Sequence, residues 1–347
     1  MKSLVWVKPL LAPVLRRIHS IGAPDAEILQ PEETVAVRPP VLLPGMLERV
    51  TGTDEHSELS QHLAAARASV VTHTPVVRYT YRKATIRRSG FSTWRHSERY
   101  CRTPWASEPT GPIVHLPLVR YCHNVYSWRY FGHWLSDAVP SAFIDPDRGS
   151  LWMPPNPGWV HAVGYMDALD LKVNEAAQIY AEKLIVYRDF CQGSHKQKRY
   201  SLIREKLHLA FGNKTSIDCV YISRGQTGTQ RRISNEPLLI ESIIRRGWKV
   251  IYIDKVSIAE LQSTLCNSRV VVGIDGSHLD HAQLSLQSDS IMICLMPQDR
   301  FTMIHLNRCR AHGVRLGFVV LAGTIRDGYY VDLDEVLRTI DLTDARV

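Results

Sequence analysis

From Asp218 to the C-terminus the chain alternates between two kinds of text. Short apolar, β-branched runs ("DCVYIS", "WKVIYID", "RVVVGI", "SIMICLM", "RLGFVVLA") are separated by amphipathic stretches of ten to fourteen residues ("NEPLLIESIIRRG", "SIAELQSTLCNS", "RFTMIHLNRCRAHG", "DLDEVLRTID"). Period-two runs alternating with period-3.6 runs mean βαβ units, and βαβ units mean a parallel sheet with helices on its faces. Helix boundaries are written into the same text. Asn235 is placed to cap one helix, Pro237 suits its first turn and Gly247 its end. Ser257 with Glu260 three residues on reads as a capping box. In such sheets ligands bind beyond the carboxyl ends of the strands. There the sequence is richest in polar groups: "VVVGIDGSHLDH" leaves a buried strand and at once presents Asp275, His278, Asp280 and His281 around Gly276 and Ser277.

The N-terminal part is less regular. Residues 1–60 read as an irregular extension, proline-rich and partly acidic from residue 20 on. Residues 61–205 read as a first α/β domain and 206–347 as a second, since 347 residues exceed one ordinary core. The segment "YSWRYFGHWLSDAVPSAF" reads as an aromatic, amphipathic helix that ends near Pro140. The first residues, "MKSLVWVKPLLAPVLRRIHS", make a poor signal peptide, because Lys8 and Pro9 split the apolar run. They suit a short segment lying on a membrane surface instead. No stretch approaches the roughly 20 apolar residues that cross a bilayer.

The charge is +8, which favours anionic partners. Much of it lies in residues 78–102, where eight Lys/Arg and a single acid are interleaved with aromatic residues. That stretch reads either as a groove for nucleic acid or acidic glycan, or as alternating strands with solvated outer faces. The seven cysteines form no CxxC pair. Cys219, Cys266 and Cys294 sit in patterned apolar text and read as small buried hydrophobes of a reducing compartment.

Four short segments carry candidate chemistry. In "GHWLSDAVPSA", His133 and Asp137 fall at i and i+4 of a helix, one turn apart on one face. The pair reads as a general base with its orienting partner, as two metal ligands, or as a local hydrogen bond. In "ISRGQTGTQRRISNE", Ser223, Arg224, Arg231, Arg232 and Asn235 bracket a polar loop before a helix, which suits a diphosphate. The loop is neither a Walker sequence nor a dinucleotide fingerprint. In the third segment Asp275, Gly276, Ser277, His278 and His281 line the end of a strand, and Ser277 is placed to cap the next helix. In "MPQDRF", Asp299 is placed to cap a helix, and Arg300 to reach a phosphate or to stay on the surface.

These segments, in this order, resemble glycosyltransferase family 61, and most closely its bacterial capsular or surface polysaccharide branch. The shared text is His133-Trp134-Leu135 with Asp137 and Pro140; Ile222-Ser223-Arg224 with Arg231, Arg232, Asn235 and Glu236; Gly273, Asp275-Gly276-Ser277, Leu279 and His281; and Asp299-Arg300-Phe301. The sequence departs from the pattern at Asp275, where relatives have Glu or His, and at His278, where Gln or Gly is usual. The resemblance implies a GT-B-like α/β fold, two Rossmann-like domains facing a cleft, with the nucleotide-sugar held mainly by the C-terminal one. It implies an inverting hexosyl- or pentosyltransferase that passes a sugar to a glycan or lipid-linked saccharide in surface polysaccharide biosynthesis. Asp137 beside His133 is then the candidate base. Ser223, Arg224, Arg231, Arg232, Asn235, Asp275, Gly276, Ser277, His278, His281 and Arg300 are the donor-site candidates. No metal ligands and no cofactor are expected, and no specific nucleic acid. The implied location is the cytoplasm, with a peripheral contact at the inner membrane face. The competing reading is a non-catalytic sugar- or nucleic-acid-binding protein that uses residues 78–102.

Overall fold

The computed structural model describes residues 24–344 apart from 55–56, 101–107, 109–110, 213–215 and 226–230. The proposed membrane-surface segment at the extreme N-terminus lies outside the described residues. The first half contains β1 (Asp25–Gln30), β2 (Glu33–Ala36), α1 (Leu59–Arg67), β3 (Val70–His73), β4 (Val76–Arg87), β5 (Gly90–Ser92), β6 (Ser97–Arg99) and β7 (Ile113–Tyr121). Next comes α2, built of an α-turn at Phe131–His133, a π segment at Trp134–Ala138 and a last turn at Val139–Ala142. Then follow β8 (Ser150–Trp152), α3 (Ala162–Ala168), β9 (Gln178–Arg188) and α4 (Ser194–Phe211). The second half runs β10 (Ile217–Ser223), α5 (Glu236–Arg245), β11 (Lys249–Tyr252), α6 (Ile258–Leu265), β12 (Ser268–Ile274), α7 (Leu279–Ser285), β13 (Ile291–Pro297), α8 (Ile304–His312), β14 (Arg315–Thr324), β15 (Gly328–Tyr330) and α9 (Leu333–Asp344).

The protein is mixed α/β. Its C-terminal sheet has the order β11-β10-β12-β13-β14-β15, with the first five strands parallel and β15 antiparallel at the edge. Burial explains the continuous apolar text: β12 and β13 are covered on both faces, and thirteen of their fourteen residues are buried, Arg269 being the exception. Ser257 caps α6, its Oγ accepting from the Glu260 N–H at 3.2 Å, as the sequence suggests. Gly247 closes α5 with a φ of +79°. Asn235 does not cap α5. Its side-chain amide is locked in two hydrogen bonds to the backbone of Val331, so it ties the start of α5 to the strand edge instead.

The N-terminal sheet differs from the Rossmann-like one expected. Its order is β6-β5-β4-β9-β7-β8, with β1 also on β4. Only the β7–β8 and β7–β9 pairs are parallel, while β4 pairs antiparallel with β1, β5 and β9. Of these pairs only β4–β5 is joined by a hairpin-length connection; β1 and β9 reach β4 from distant parts of the chain. In this sheet two cations of the basic stretch are bound internally. Arg78 pairs with Asp145 and Glu27, and Arg88 donates to the Pro155 carbonyl.

The stretch 1–60, expected to be irregular, is not so over its described part. β1 joins the N-terminal sheet, and β2 forms a ribbon with β3. The chain then crosses to the other half. Val41 bridges to Gly317, Leu43 and Met46 enter the C-terminal core, and Ala66 of α1 packs there too. The expected boundary at 60/61 therefore does not separate an extension from a domain. The boundary at 205/206 falls inside α4. Contacts between the halves are helical: the core around α2 and α4 includes Leu284 of α7 and Ala311 of α8. Among the described residues no helix is long and apolar enough to cross a membrane.

Candidate active site

Strand order fixes where the C-terminal sheet opens. β11 lies on one side of β10, while β12 and the later strands lie on the other, so the winding direction reverses between β10 and β12. That switch point leaves a crevice beyond the carboxyl ends of the two strands. Ser223-Arg224 leaves β10 into it, and Asp275-Gly276-Ser277 leaves β12.

Two guanidiniums meet there, and a third lies near. Arg224 donates to the Asp275 carbonyl at 3.0 Å, and Arg231 binds the same carbonyl and, at 3.0 Å, the Asp275 carboxylate. Arg300 acts electrostatically on Arg224 from the β13–α8 loop. Burial, then the neighbouring Arg231, pushes the Arg224 pKa down to about 10. Burial works to raise the Asp275 pKa, but Arg231, a His305 imidazole at 3.3 Å and Arg224 hold it well below the usual carboxylate range. His305 is in turn held by Gln283 at 2.8 Å. The buried Nε atoms of Arg231 and Arg300 and the Nε2 of His278 have no partner among the described residues. His278 stays neutral, because burial and the nearby Arg224, His305 and Arg231 push its pKa well below the ordinary value. Three cations against a single carboxylate make an anion site. Gly276 is essential to its shape. Its φ is +153°, and a Cβ would lie 2.3 Å from an Arg224 terminal nitrogen.

Other expected donor-site residues lie elsewhere. Arg232 turns to the β14–β15 hairpin and donates to the Asp327 carbonyl. Asn235 is bound to Val331. The Ser223 hydroxyl donates to Glu236 at 2.9 Å, as does Tyr221 at 2.8 Å. Ser277 does not cap α7: His278 occupies the capping position, and no side chain bonds there. His281 is packed away against Phe131, His161 and Tyr165, its Nδ1 2.7 Å from the Tyr165 hydroxyl. Asp299 caps nothing and instead accepts from Tyr329 at 2.8 Å.

The His133–Asp137 pair forms as the spacing predicts, at 2.7 Å between Nδ1 and Oδ2. The helix carrying it runs two residues past Pro140. Proline lacks the N–H that would bond the Ser136 carbonyl. That carbonyl is taken by the Tyr200 hydroxyl at 2.7 Å, and the turn before Pro140 widens into the π segment. Asp137 also faces Lys196 at 3.5 Å and Arg308 at 3.9 Å. Its burial acts to raise the pKa, but Lys196, His133 and Arg308 hold it well below the usual range.

Arg308 connects the two regions. One terminal nitrogen donates to Asp280 at 2.6 Å, and the other lies 3.0 Å from His133 Nδ1. Ser136 also donates to Asp280, at 3.0 Å. Asp280 sits three residues beyond Ser277, so the anion loop and the imidazole share one hydrogen-bonded network. Lys196 and Arg199 complete it through Asp189. Asp137, Asp189 and Asp280 pair with Lys196, Arg199 and Arg308 in this network. Gly132 permits the approach of α2 to α7, since a Cβ there would lie 2.1 Å from an Asp280 carboxylate oxygen.

Asp189, Lys196, Arg199, His305 and Arg308 are the residues that reading by motif misses. A signal exists in α8, where His305, Arg308 and His312 recur at i, i+3 and i+7, a polar face on a helix between two buried strands. The opposite side of α8, with Leu306, Asn307 and Arg310, lines a separate cavity of about 870 Å³ that contains none of these ionised groups. Among the described residues no group of three or more His, Cys, Asp or Glu is placed to hold a metal ion.

The switch-point crevice thus carries an anion site that one buried arginine ties to an imidazole–carboxylate pair. Residues 131–293 match the family model described as Glycosyltransferase 61, and this match supports glycosyltransferase activity. The match runs from α2 to β13 and includes both His133–Asp137 and Asp275–His278. No curated protein matches the chain.

Proposed function

We propose that the protein is an inverting, metal-independent glycosyltransferase. It takes a nucleotide-sugar donor and serves surface polysaccharide biosynthesis at the cytoplasmic side of the membrane, with a glycan or lipid-linked saccharide as acceptor. The observation that carries the donor class is the convergence of Arg224, Arg231 and Arg300 on the switch-point crevice. Fixed positive charge at that point stabilises a departing nucleoside diphosphate where other transferases use a cation. The N-terminal α/β unit supplies the acceptor side of a GT-B-like cleft.

In this reading His133, not Asp137, accepts the acceptor proton. A carboxylate held as low as Asp137, between Lys196 and Arg308, is a weak base. It holds the Nδ1 of His133 instead and turns Nε2 outward, and the His133 side chain is 22% exposed against 7% for Asp137. The acceptor hydroxyl proton passes to Nε2. Its oxygen bonds to the anomeric carbon on the face opposite the leaving group. The anomeric C–O bond to the diphosphate breaks, and its electron pair leaves with the nucleotide.

Two measurements test this. Melting curves with a panel of nucleoside diphosphates, with EDTA or with Mn²⁺, should show stabilisation by one nucleotide family that EDTA does not remove. At one hundred times Kd the gain is about 2.7 kcal/mol. His133→Ala should lower kcat by about 10²–10⁴-fold and leave the nucleotide-diphosphate Kd within about twofold. A variant that turns over at the wild-type rate would return the base to a carboxylate. No observation favours the nucleic-acid reading of residues 78–102, whose Arg78 and Arg88 are bound internally.

A further inference from the structure

The loop before α2 is tightly built and yet presents its largest side chains to solvent. Asn124 Oδ1 accepts from the N–H groups of Tyr126 at 2.9 Å and Ser127 at 2.8 Å. The Ser127 hydroxyl accepts from the Asn124 N–H at 2.7 Å and lies 3.4 Å from His123, which is anchored on the Pro154 carbonyl. Tyr130 N–H bonds back to the Tyr126 carbonyl at 2.8 Å, and Trp134 N–H to that of Tyr130 at 2.9 Å. The backbone thus has little freedom. Even so, Tyr126 is 49% exposed and Tyr130 40%. One face of Tyr126 covers the His133 ring, stacked at 5.1 Å and 28°, and Tyr130 lies 6.2 Å from the same imidazole.

We propose that Tyr126 and Tyr130 form the acceptor subsite, a platform on which a pyranose ring of the acceptor saccharide stacks beside His133. This rests on the reading of His133 as the proton acceptor. The chemistry names the occupant. A pyranose has a C–H face that packs on an aromatic ring and a rim of hydroxyls that reach past its edge, and tyrosine offers an apolar body with a polar tip. A hydroxyl must come within about 3 Å of Nε2, directly or through one water, to lose its proton there. A pyranose packed on Tyr130 and the edge of Tyr126, rather than on the Tyr126 face turned away from His133, brings its rim hydroxyls toward the imidazole. Ordering the tyrosines beforehand removes much of the entropic cost of holding a weakly bound sugar. The exposed Arg129, its guanidinium 5.2 Å over the Tyr130 ring, supplies hydrogen-bond donors at the rim.

The test is saturation-transfer NMR on the full chain without nucleotide. The probes are methyl pyranosides and neutral and uronic disaccharides at millimolar concentration, with a serine-containing peptide beside them. At least one saccharide should bind the wild type. Tyr126→Ala should weaken that binding at least fivefold, and Tyr126→Phe should keep it within twofold. Tyr130→Ala serves as a second variant if Tyr126→Ala melts far below the wild type. No saccharide bound by the wild type, peptide bound in place of saccharide, or equal binding by the alanine variants would overturn the platform. Because no nucleotide is present, this result is independent of the donor-site reading, which fails or holds in the nucleotide titration.

Discussion

Arg308 is a fully enclosed cation that serves two carboxylates and an imidazole from α2 and α7. Removing a buried cation leaves its partners charged and unpaired, which costs about 3–5 kcal/mol. Arg308→Met should therefore lower the urea unfolding free energy by about that amount. Arg308→Met with Asp280→Asn should recover part of the loss, since the double variant buries one charge fewer. A purely additive double variant would show that the two do not interact. Lysine is no substitute at this position, because a single ammonium has no fork with which to reach Asp280 and His133 together. Of this network the sequence shows the His133–Asp137 spacing, because both residues lie on one helix. It hides Arg308, which stands 175 residues from His133. Side-chain pairs of that separation have no periodicity to betray them.

At the scale of elements, the segment from Val41 to Thr53 is an N-terminal piece packed on a C-terminal sheet. Phe318 N–H bonds to the Val41 carbonyl at 3.0 Å, Thr51 N–H to that of Gln298 at 2.8 Å, and the Thr53 hydroxyl to that of Phe301 at 2.7 Å. Met46 is 1% exposed among β14 and its neighbours. Met46→Ala should cost about 2–5 kcal/mol by loss of burial and the cavity left behind, measured by denaturant unfolding. A loss under 0.5 kcal/mol would mean the segment adds little to the fold. Proline-rich text and short runs concealed these elements. β1 and β2 have six and four residues, and β1 pairs with β4 roughly fifty residues away. By contrast, most of β10 to α9 is legible, because strands and helices alternate there and the longer ones show their own period; the three-residue β15 is not.

Across the whole molecule, buried imidazoles set the response to pH. Burial pushes His123 down to about 4, and pushes His278, His281 and His312 well below the ordinary value. In the unfolded chain these groups titrate near 6.5. Between the folded and unfolded pKa values the unfolded state binds more protons, so stability is complete above about pH 6.5 and falls as the pH drops. Each such histidine contributes on the order of 1 kcal/mol per pH unit below that point. Asp137 and Asp275, held below the usual carboxylate range, add a second loss of the same sign below about pH 4. The melting temperature should therefore drop steadily from pH 7 to pH 5. A flat profile over that range would mean that the imidazoles gain access to water or to counter-charges before unfolding.

What the sequence determines by itself is local. Strand and helix periods give the parallel C-terminal sheet, and the residues at its strand ends give the candidate anion site. The His133–Asp137 spacing gives one polar pair. Tertiary structure decided which candidates meet: it gathered Arg224, Arg231 and Arg300, sent Arg232, Asn235 and His281 to packing duties, and added Lys196, Asp280 and Arg308. The physical reason is that a period along the chain states which face of an element is buried. The partner on that face is chosen by strand order and helix packing, which bring together residues far apart in the chain.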